Sequence, residues 1–159
     1  MKIRKVTGAD WDELRQIRLE ALLDEPAAYG STYEESESWP DANWQKMASE
    51  WLYYFAEVEG EVVGMLSGGY NDNHPGTWWM YGMYVSPEFR GQGIADELVN
   101  AVCDWAKSEG ANALYLHVTE TLERSRGFYE KMGFVLNGER IVMDRDPSIA
   151  LVTMVKNFD

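Results

Sequence analysis

Apolar positions recur at helical spacing in two stretches of the N-terminal third, after a short predicted strand at residues 3–6. The first stretch carries Trp11, Leu14, Ile17 and Ala21. Thr7, followed three residues later by Asp10, is typical of a helix start, and Pro26 disfavours continuation past residue 24. The second stretch begins at 38–41 and carries Trp44, Met47 and Trp51. The spacing predicts two helices, and residues 27–38 between them fit either a loop or a frayed helix.

Strand patterns dominate the rest of the chain. Residues 54–59 and 61–67 are apolar runs joined through Glu59-Gly60-Glu61, which is typical of a hairpin. A turn-rich cluster at 71–76 leads to an aromatic run at 79–85 and completes a three-stranded meander. After a long helix, apolar positions alternate over 113–118, which predicts a strand parallel to the third one. A helix at 122–132 and strands at 134–136 and 149–155 complete the predicted sheet.

The strand at 79–85 passes through a proline-containing break and a glycine-containing turn directly into an amphipathic helix, which Gly110 is expected to end. The first N–H groups of a helix lack internal acceptors and lie at the positive end of its dipole. We therefore predict a phosphate cradle formed by Arg90, Gly91, Gln92, Gly93, Ile94 and Ala95. A Rossmann turn is disfavoured, because Asp96 stands where the third glycine belongs and several strands precede the turn.

Composition narrows the class of protein. The chain has 159 residues, of which 45% are hydrophobic, and shows no linker or repeat, so we expect one domain spanning residues 1–159. A net charge of −13 disfavours nucleic-acid binding and would attract a cationic substrate, although acidic surfaces also serve solubility. With no long apolar run and no leader-like segment at the N-terminus, we expect a cytoplasmic protein without a membrane partner. The lone Cys103 is expected to be a core thiol, and no metal ligands are predicted.

Two segments carry a resemblance to a known family. The run from Val85 to Ala95 resembles the acetyl-CoA-binding signature of the GNAT N-acetyltransferase superfamily, which is Arg or Gln, two residues, Gly, one residue, then Gly or Ala; Arg90, Gly93 and Ala95 fill it. Downstream, residues 127–134 (GFYEKMGF) resemble the second recurring segment of that family. The predicted element order is also similar over residues 3–156, so the resemblance covers nearly the whole chain.

The resemblance implies a three-layer α/β/α fold with a mixed, mostly antiparallel sheet of about seven strands. Strands four and five would splay apart and admit acetyl-CoA as cosubstrate. The backbone of Met83 and Val85 would bind the pantetheine arm, and an N–H near Met83 or Tyr84 would bind the oxyanion. Leu122 stands where the family often has Asn, which removes a side-chain hydrogen bond to the cofactor but leaves the backbone contacts.

The resemblance also assigns catalytic candidates. Tyr129 would protonate the departing thiolate, although by spacing alone Phe128 and Tyr129 fit simple packing of the last helix. The fourth strand lacks the Glu that family members often carry, so the general base stays open among Glu34, Glu35, Asp72, His74, His117 and water. The residues expected to contact the acceptor are Tyr29, Tyr33, Glu34, Glu35 and His117. The acidic residues among them suit a cationic amine or a merely solvated loop.

The sequence therefore predicts an acetyl-CoA-dependent N-acetyltransferase that acts on a primary amine of a small molecule, such as a polyamine or an amino acid. Exposed aromatic residues would be compatible with a homodimer. One alternative within the fold is acetylation of a protein N-terminus or lysine. Another, motivated by the missing strand Glu and by Leu122, is a non-catalytic acyl-CoA-binding module.

Overall fold

The computed structural model describes residues 1–159, which form seven strands and five α-helices. The strands are β1 (Lys2–Lys5), β2 (Leu52–Val58), β3 (Glu61–Tyr70), β4 (Trp78–Val85), β5 (Ala113–Thr119), β6 (Val135–Met143) and β7 (Asp146–Asn157). The helices are α1 (Trp11–Asp24), α2 (Tyr33–Glu37), α3 (Asp41–Glu50), α4 (Ile94–Ser108) and α5 (Glu123–Lys131). Short 3₁₀ turns precede α1 and α4 and follow α1.

All seven strands form one sheet in the order β1-β2-β3-β4-β5-β7-β6. Neighbouring strands are antiparallel except β4 and β5, which run parallel because α4 carries the chain back across the sheet. β4 and β5 are paired only at Trp78–Leu114 and Trp79–Tyr115, near the start of both strands. Beyond those pairs the strands separate, so the predicted mixed sheet, splayed between its fourth and fifth strands, is confirmed.

Two buried clusters cover the two faces of the sheet and give the three layers. One joins α4 and β5 and contains Leu98, Val102 and Leu114, which are fully buried. The other joins α1 and α3 to β2 and contains Leu14, Trp44 and Phe55. Burial of each such aliphatic or aromatic side chain stabilises the fold by roughly 1.5–3 kcal/mol. The helices therefore fix the position of β4, which has a cluster on each face.

Several local predictions are confirmed. The N–H of Thr7 donates to Asp10 Oδ2 at 2.7 Å just before α1. The turn between β2 and β3 has positive φ at Glu59 and Gly60, as a tight hairpin requires. Gly110 adopts φ of +85° just after α4, where a left-handed residue commonly ends a helix. Cys103 is buried, which raises the pKa of its thiol.

Two predictions of element boundaries were wrong. Trp51 does not share the buried face of the second predicted helix, because α3 ends at Glu50 and the extended backbone of Trp51 leaves its side chain 57% exposed. The last two strands are longer than predicted, since β6 and β7 reach 135–143 and 146–157. Most of β6 is exposed and its pairing with β7 is shifted between Leu136 and Arg140, which hides the alternation in the sequence.

The ambiguous segment at 27–38 contains the end of a 3₁₀ turn, an irregular part and the short helix α2. Pro26–Ala28 forms a 3₁₀ turn, and Thr32 caps the short α2 by accepting a hydrogen bond from Glu35 N–H at 3.2 Å. Tyr29 and Ser36 of this segment are buried. None of the helices has the length and apolar character required to cross a membrane.

Candidate active site

The space between the diverging β4 and β5 is part of an open cavity of about 1770 Å³ that extends from the N-terminus of α4 to the loop after α1 and reaches the start of β2, the end of β3 and the turn at 71–74. Among the predicted site residues, those in its wall are Tyr29, Met83, Tyr84, Val85, Arg90, Gly91, Gly93, Ile94, Ala95, His117 and Tyr129. Gln92, Tyr33, Glu34 and Glu35 lie outside this wall. The structure therefore brings together Tyr29, His117, Tyr129 and the residues predicted to bind the cofactor other than Gln92. It leaves Tyr33 and the acidic residues of α2 apart from them.

A β-bulge re-aims the backbone of β4 at the cavity. Met65 and Ser67 of β3 face Tyr84 and Tyr81, so β4 has one residue more than β3 across this stretch. Gly82 at the bulge has φ of +66°, a conformation that side-chain-bearing residues rarely adopt. The Met83 carbonyl at the bulge accepts a hydrogen bond from the Tyr29 hydroxyl at 2.7 Å. At Met83 the regular hydrogen bonding between β3 and β4 is therefore interrupted, and the carbonyl is held in place by Tyr29.

The Tyr84 side chain points away from the gap between β4 and β5 and into the core beneath α1. It is 1% exposed and packs in the cluster beneath α1, with the Arg90 guanidinium 5.6 Å from the centre of its ring. Burial, followed by the nearby Glu20 and Asp24 carboxylates, raises the pKa of its phenol. Only the backbone of Tyr84 is therefore available for a ligand in the gap.

The N-terminus of α4 forms an anion cradle. The backbone N–H groups of residues 91–95 donate to no acceptor in the protein. Gly91 and Gly93 have φ of +78° and +81°, and a Cβ added at either would enter open space. Unpaired N–H groups at the positive end of a 15-residue helix suit a diphosphate. The residues present thus fit the phosphate end of coenzyme A.

The Arg90 side chain is engaged elsewhere. Its Nε donates to the Val85 carbonyl at 2.8 Å, and its Nη2 donates to Asp24 Oδ2 at 2.7 Å. These bonds connect the start of the cradle to the end of β4 and the end of α1. The guanidinium is thus a positioning group for the turn, while the backbone supplies the cradle.

Tyr129 reaches the opposite wall of the cavity from α5. Its ring packs edge-on against Phe128 and Phe134, and the residue is 9% exposed. The hydroxyl makes no hydrogen bond within the protein yet is not among the fully enclosed polar atoms, so it is open to the cavity. Burial, with a smaller effect from Glu25, raises the pKa of the phenol above its ordinary value of 10.0. The group is therefore a protonated donor at neutral pH.

His117 belongs to a hydrogen-bonded relay across three strands. Its Nδ1 lies 3.1 Å from Thr153 Oγ1 on β7, and that hydroxyl donates to Glu139 Oε1 on β6 at 3.0 Å. A carboxylate only accepts, so the single hydroxyl hydrogen of Thr153 is used by Glu139, and Thr153 must accept from Nδ1–H of His117. The neutral imidazole is then left with its lone pair on Nε2.

The surroundings of the imidazole keep it uncharged. Burial lowers the pKa of His117 from its ordinary 6.5, Glu139 acts in the opposite direction, and His74 lowers it further. The ring packs against Trp79, with centroids 4.5 Å apart. Nε2 has no protein partner and is not enclosed, and the residue lines the cavity. The relay therefore presents an unprotonated nitrogen to the space between β4 and β5.

A loop joins the two diverging halves of the sheet above the cavity. Thr119 Oγ1, at the end of β5, donates to the Ala27 carbonyl at 2.8 Å. Arg145, in the turn between β6 and β7, donates from Nε to the Tyr29 carbonyl at 3.1 Å and also from Nη2 to the Pro26 carbonyl. Tyr29 in turn reaches β4 through Met83. These bonds hold the loop at 26–29 across the gap.

Sequence reasoning did not single out Arg18, which lines the cavity, or three residues that position its wall through His117 and the loop at 26–29, namely Glu139, Thr153 and Arg145. Arg18 had a detectable signal, because it lies four residues after Leu14 on the apolar face of the first helix. The other three depend on the register of β6 and β7, which the sequence does not reveal. No group of three or more His, Cys, Asp or Glu side chains is placed to hold a metal ion.

Comparison with known proteins agrees with this arrangement. The family model described as "Acetyltransferase (GNAT) family" matches residues 11–134, from the start of α1 to the residue before β6. The chain belongs to the GNAT acetyltransferase family. This identification confirms the resemblance inferred from residues 85–95 and 127–134. By family, the chain is an acyltransferase that uses acetyl-CoA as cosubstrate.

Individual GNAT relatives resemble the chain over different lengths. An acetyltransferase of Pectobacterium atrosepticum is 36% identical over 100 residues, which cover 60% of this chain and 69% of the relative. The yncA protein of Salmonella typhimurium, solved with its cofactor acetyl-CoA, has a TM-score of 0.78 at 21% identity and covers 100% of this chain and 94% of its own. A ribosomal-protein-alanine N-acetyltransferase of Brucella melitensis has a TM-score of 0.74 at 21% identity, with coverages of 99% and 100%. The two solved structures share the fold.

Proposed function

We propose that this GNAT enzyme transfers the acetyl group of acetyl-CoA to a primary amine of a small molecule. The observation that carries the choice of a small acceptor is the loop at 26–29, which Thr119 and Arg145 hold across the gap. An extended peptide needs an open groove beside the acetyl group, whereas this loop favours a compact acceptor. Cytoplasmic location, a single domain and homodimer formation stay predictions from the sequence.

The donor half of the proposed site is made of backbone. The free N–H groups of residues 91–95 bind the diphosphate, and β4 from Met83 to Val85 binds the pantetheine arm in the gap. When bound, acetyl-CoA supplies the acetyl group and leaves as the free thiol. Leu122, which lines the same cavity from the start of α5, offers only apolar contact.

The chemical step requires two proton transfers. The amine must lose a proton as its nitrogen bonds to the carbonyl carbon, and we assign that proton to Nε2 of His117. The carbon–sulfur bond then breaks, and the Tyr129 hydroxyl gives its proton to the sulfur. The resulting phenolate recovers a proton from solvent, and His117 releases its own to solvent. The base and the acid are thus two different groups in one cavity.

The test combines a titration with a turnover assay. Calorimetry of the purified protein with acetyl-CoA is expected to give saturable one-site binding, and a panel of small primary amines is expected to release thiol. Peptides that begin with alanine, and so carry its free α-amine, or that contain lysine serve as the competing class, since the Brucella melitensis neighbour is named for a protein substrate. Faster turnover of peptides would overturn the choice of a small acceptor. Acetyl-CoA binding without transfer to any amine would favour the non-catalytic alternative.

A further inference from the structure

Arg18 is a half-buried cation in the cavity wall with no counter-ion. It projects from the middle of α1, and its Nε is sealed from solvent without a hydrogen-bond partner. No Asp or Glu oxygen lies within 4.0 Å of its nitrogens, and its guanidinium makes no hydrogen bond within the protein. An unpaired, partly desolvated charge destabilises a fold, so its position in a cavity wall favours a ligand that supplies the anion.

The other cavity-facing arginines differ from Arg18. Arg90 is held by Asp24 and by the Val85 carbonyl. Arg124 is exposed on α5, so its charge is not desolvated as that of Arg18 is. The terminal nitrogens of Arg18 are not enclosed, unlike its Nε, so they are available from the cavity. A guanidinium in this state presents the planar fork that binds carboxylates through two parallel hydrogen bonds.

Arg18 lies next to the bulge of β4, close to where the reacting atoms are proposed to bind. Its Nη1 lies 3.2 Å from the point where a Cβ would stand on Gly82, at the bulge of β4. The Tyr29 hydroxyl, which donates to the neighbouring Met83 carbonyl, is also close enough to Arg18 to be affected by its charge. Burial and Glu25 raise the pKa of the Tyr29 phenol, and the positive charge of Arg18 partly offsets that rise. Arg18 thus lies beside the backbone along which the thioester is proposed to bind.

Resting on the acetyl transfer proposed above, we propose that Arg18 binds the carboxylate of the acceptor, which is therefore an α-amino acid or a close analogue. In such a molecule one carbon atom separates the amine from the carboxylate, so binding at Arg18 places the amine next to the bulge. A polyamine is disfavoured, since the same guanidinium repels a second ammonium group. An amino-acid zwitterion has no net charge, so the net charge of −13 on the protein does not repel it.

The experiment measures thiol release with amino acids and with their carboxamides, which keep the side chain and amine but lack the carboxylate. The wild-type protein is expected to prefer the acids in kcat/KM by about 30-fold, a modest value for a desolvated charge pair. Arg18→Met should bring that ratio close to one while changing kcat/KM for the carboxamides much less. Arg18→Lys should keep part of the preference, because it retains the charge and loses the fork.

Arg15→Met is the matched control, since Arg15 lies on the same helix outside the cavity wall, and it should keep the wild-type ratio. A wild-type ratio near one, or an equal loss for acids and carboxamides in Arg18→Met, would overturn the inference. If no amine is acetylated, the proposed function fails independently. The same acids are then titrated calorimetrically into the protein with CoA present. Binding to the wild type that is lost in Arg18→Met supports the carboxylate site, and no binding to the wild type overturns it.

Discussion

At the scale of single residues, Tyr129 combines a buried ring with a hydroxyl that is open to the cavity and has no protein partner. Tyr129→Phe keeps the packing against Phe128 and Phe134 and removes only the proton donor. We expect kcat to fall by about 10²-fold, while the Kd for acetyl-CoA changes by less than about threefold. Tyr115→Phe, outside the cavity wall, is the control and should retain activity. Equal losses in kcat and acetyl-CoA affinity would assign Tyr129 a packing role.

The raised pKa of the Tyr129 phenol also predicts how kcat depends on pH at the alkaline end. An acid must be protonated to act, so its contribution is present below its pKa and is lost above it. Burial places that pKa above the ordinary 10.0, and we therefore expect kcat to show no alkaline decline below about pH 10. A decline centred near pH 8 or 9 that disappears in Tyr129→Phe would contradict this environment for the phenol.

His117 should produce the acid limb of the kcat profile at saturating amine. A base must be unprotonated, and burial lowers the pKa of His117 below 6.5, so activity should rise through a pKa below that value and level off by about pH 7. His117→Gln should lower kcat by about 10²-fold and remove the limb. Thr153→Ser should preserve the relay and Thr153→Val should shift the limb. An unchanged limb in His117→Gln would transfer the role to another group or to water.

At the scale of elements, the bulge in β4 turns its backbone toward the cavity. Glycine at position 82 permits the positive φ that the bulge requires. Gly82→Ala would introduce a side chain at φ of +66° and place its Cβ 3.2 Å from Arg18 Nη1. We expect a decrease of about 1–2 kcal/mol in the free energy of unfolding, measured in urea, together with a loss of turnover. Gly69→Ala is the control, because its Cβ would make only an ordinary contact with Tyr81 at 3.8 Å. Equal effects of the two substitutions would show that the bulge conformation is not specifically required.

The elements also separate what the sequence predicts from what it does not. Helix α4 and its glycine turn were predictable because apolar spacing, capping signals and the signature coincide within one continuous segment. The relay from His117 to Glu139 was not, since it needs the register of three strands, one of which is exposed along most of its length. Trp51 was misplaced for a related reason: helical spacing extends one residue beyond the point at which the chain turns into β2. Local patterns thus predict elements, whereas side-chain juxtaposition depends on pairing.

At the scale of the whole molecule, the backbones of β4 and β5 are paired at only two residue pairs, so the two halves of the sheet are joined mainly by the core under α4 and by the loop at 26–29. A ligand in the gap contacts both halves, so the native state should bind acetyl-CoA far more strongly than the unfolded chain does. At a ligand concentration of 100 times Kd we expect about 2.7 kcal/mol of stabilisation, which raises Tm by about 5–10 °C. Differential scanning calorimetry with and without acetyl-CoA measures this shift.

The same measurement tests whether the cradle at the start of α4 supplies the binding energy. Gly91→Asp introduces a carboxylate where the diphosphate is proposed to lie, and Gly91→Asn introduces a side chain of nearly equal size without the charge. Both residues tolerate the left-handed φ of +78°, and a Cβ there meets no other atom, so the two variants should have similar Tm values without ligand. We expect Gly91→Asp to lose most of the shift caused by acetyl-CoA and Gly91→Asn to keep most of it. Equal retention by both variants would place the diphosphate away from residues 91–95, and the wall formed by α5 would then be the alternative location.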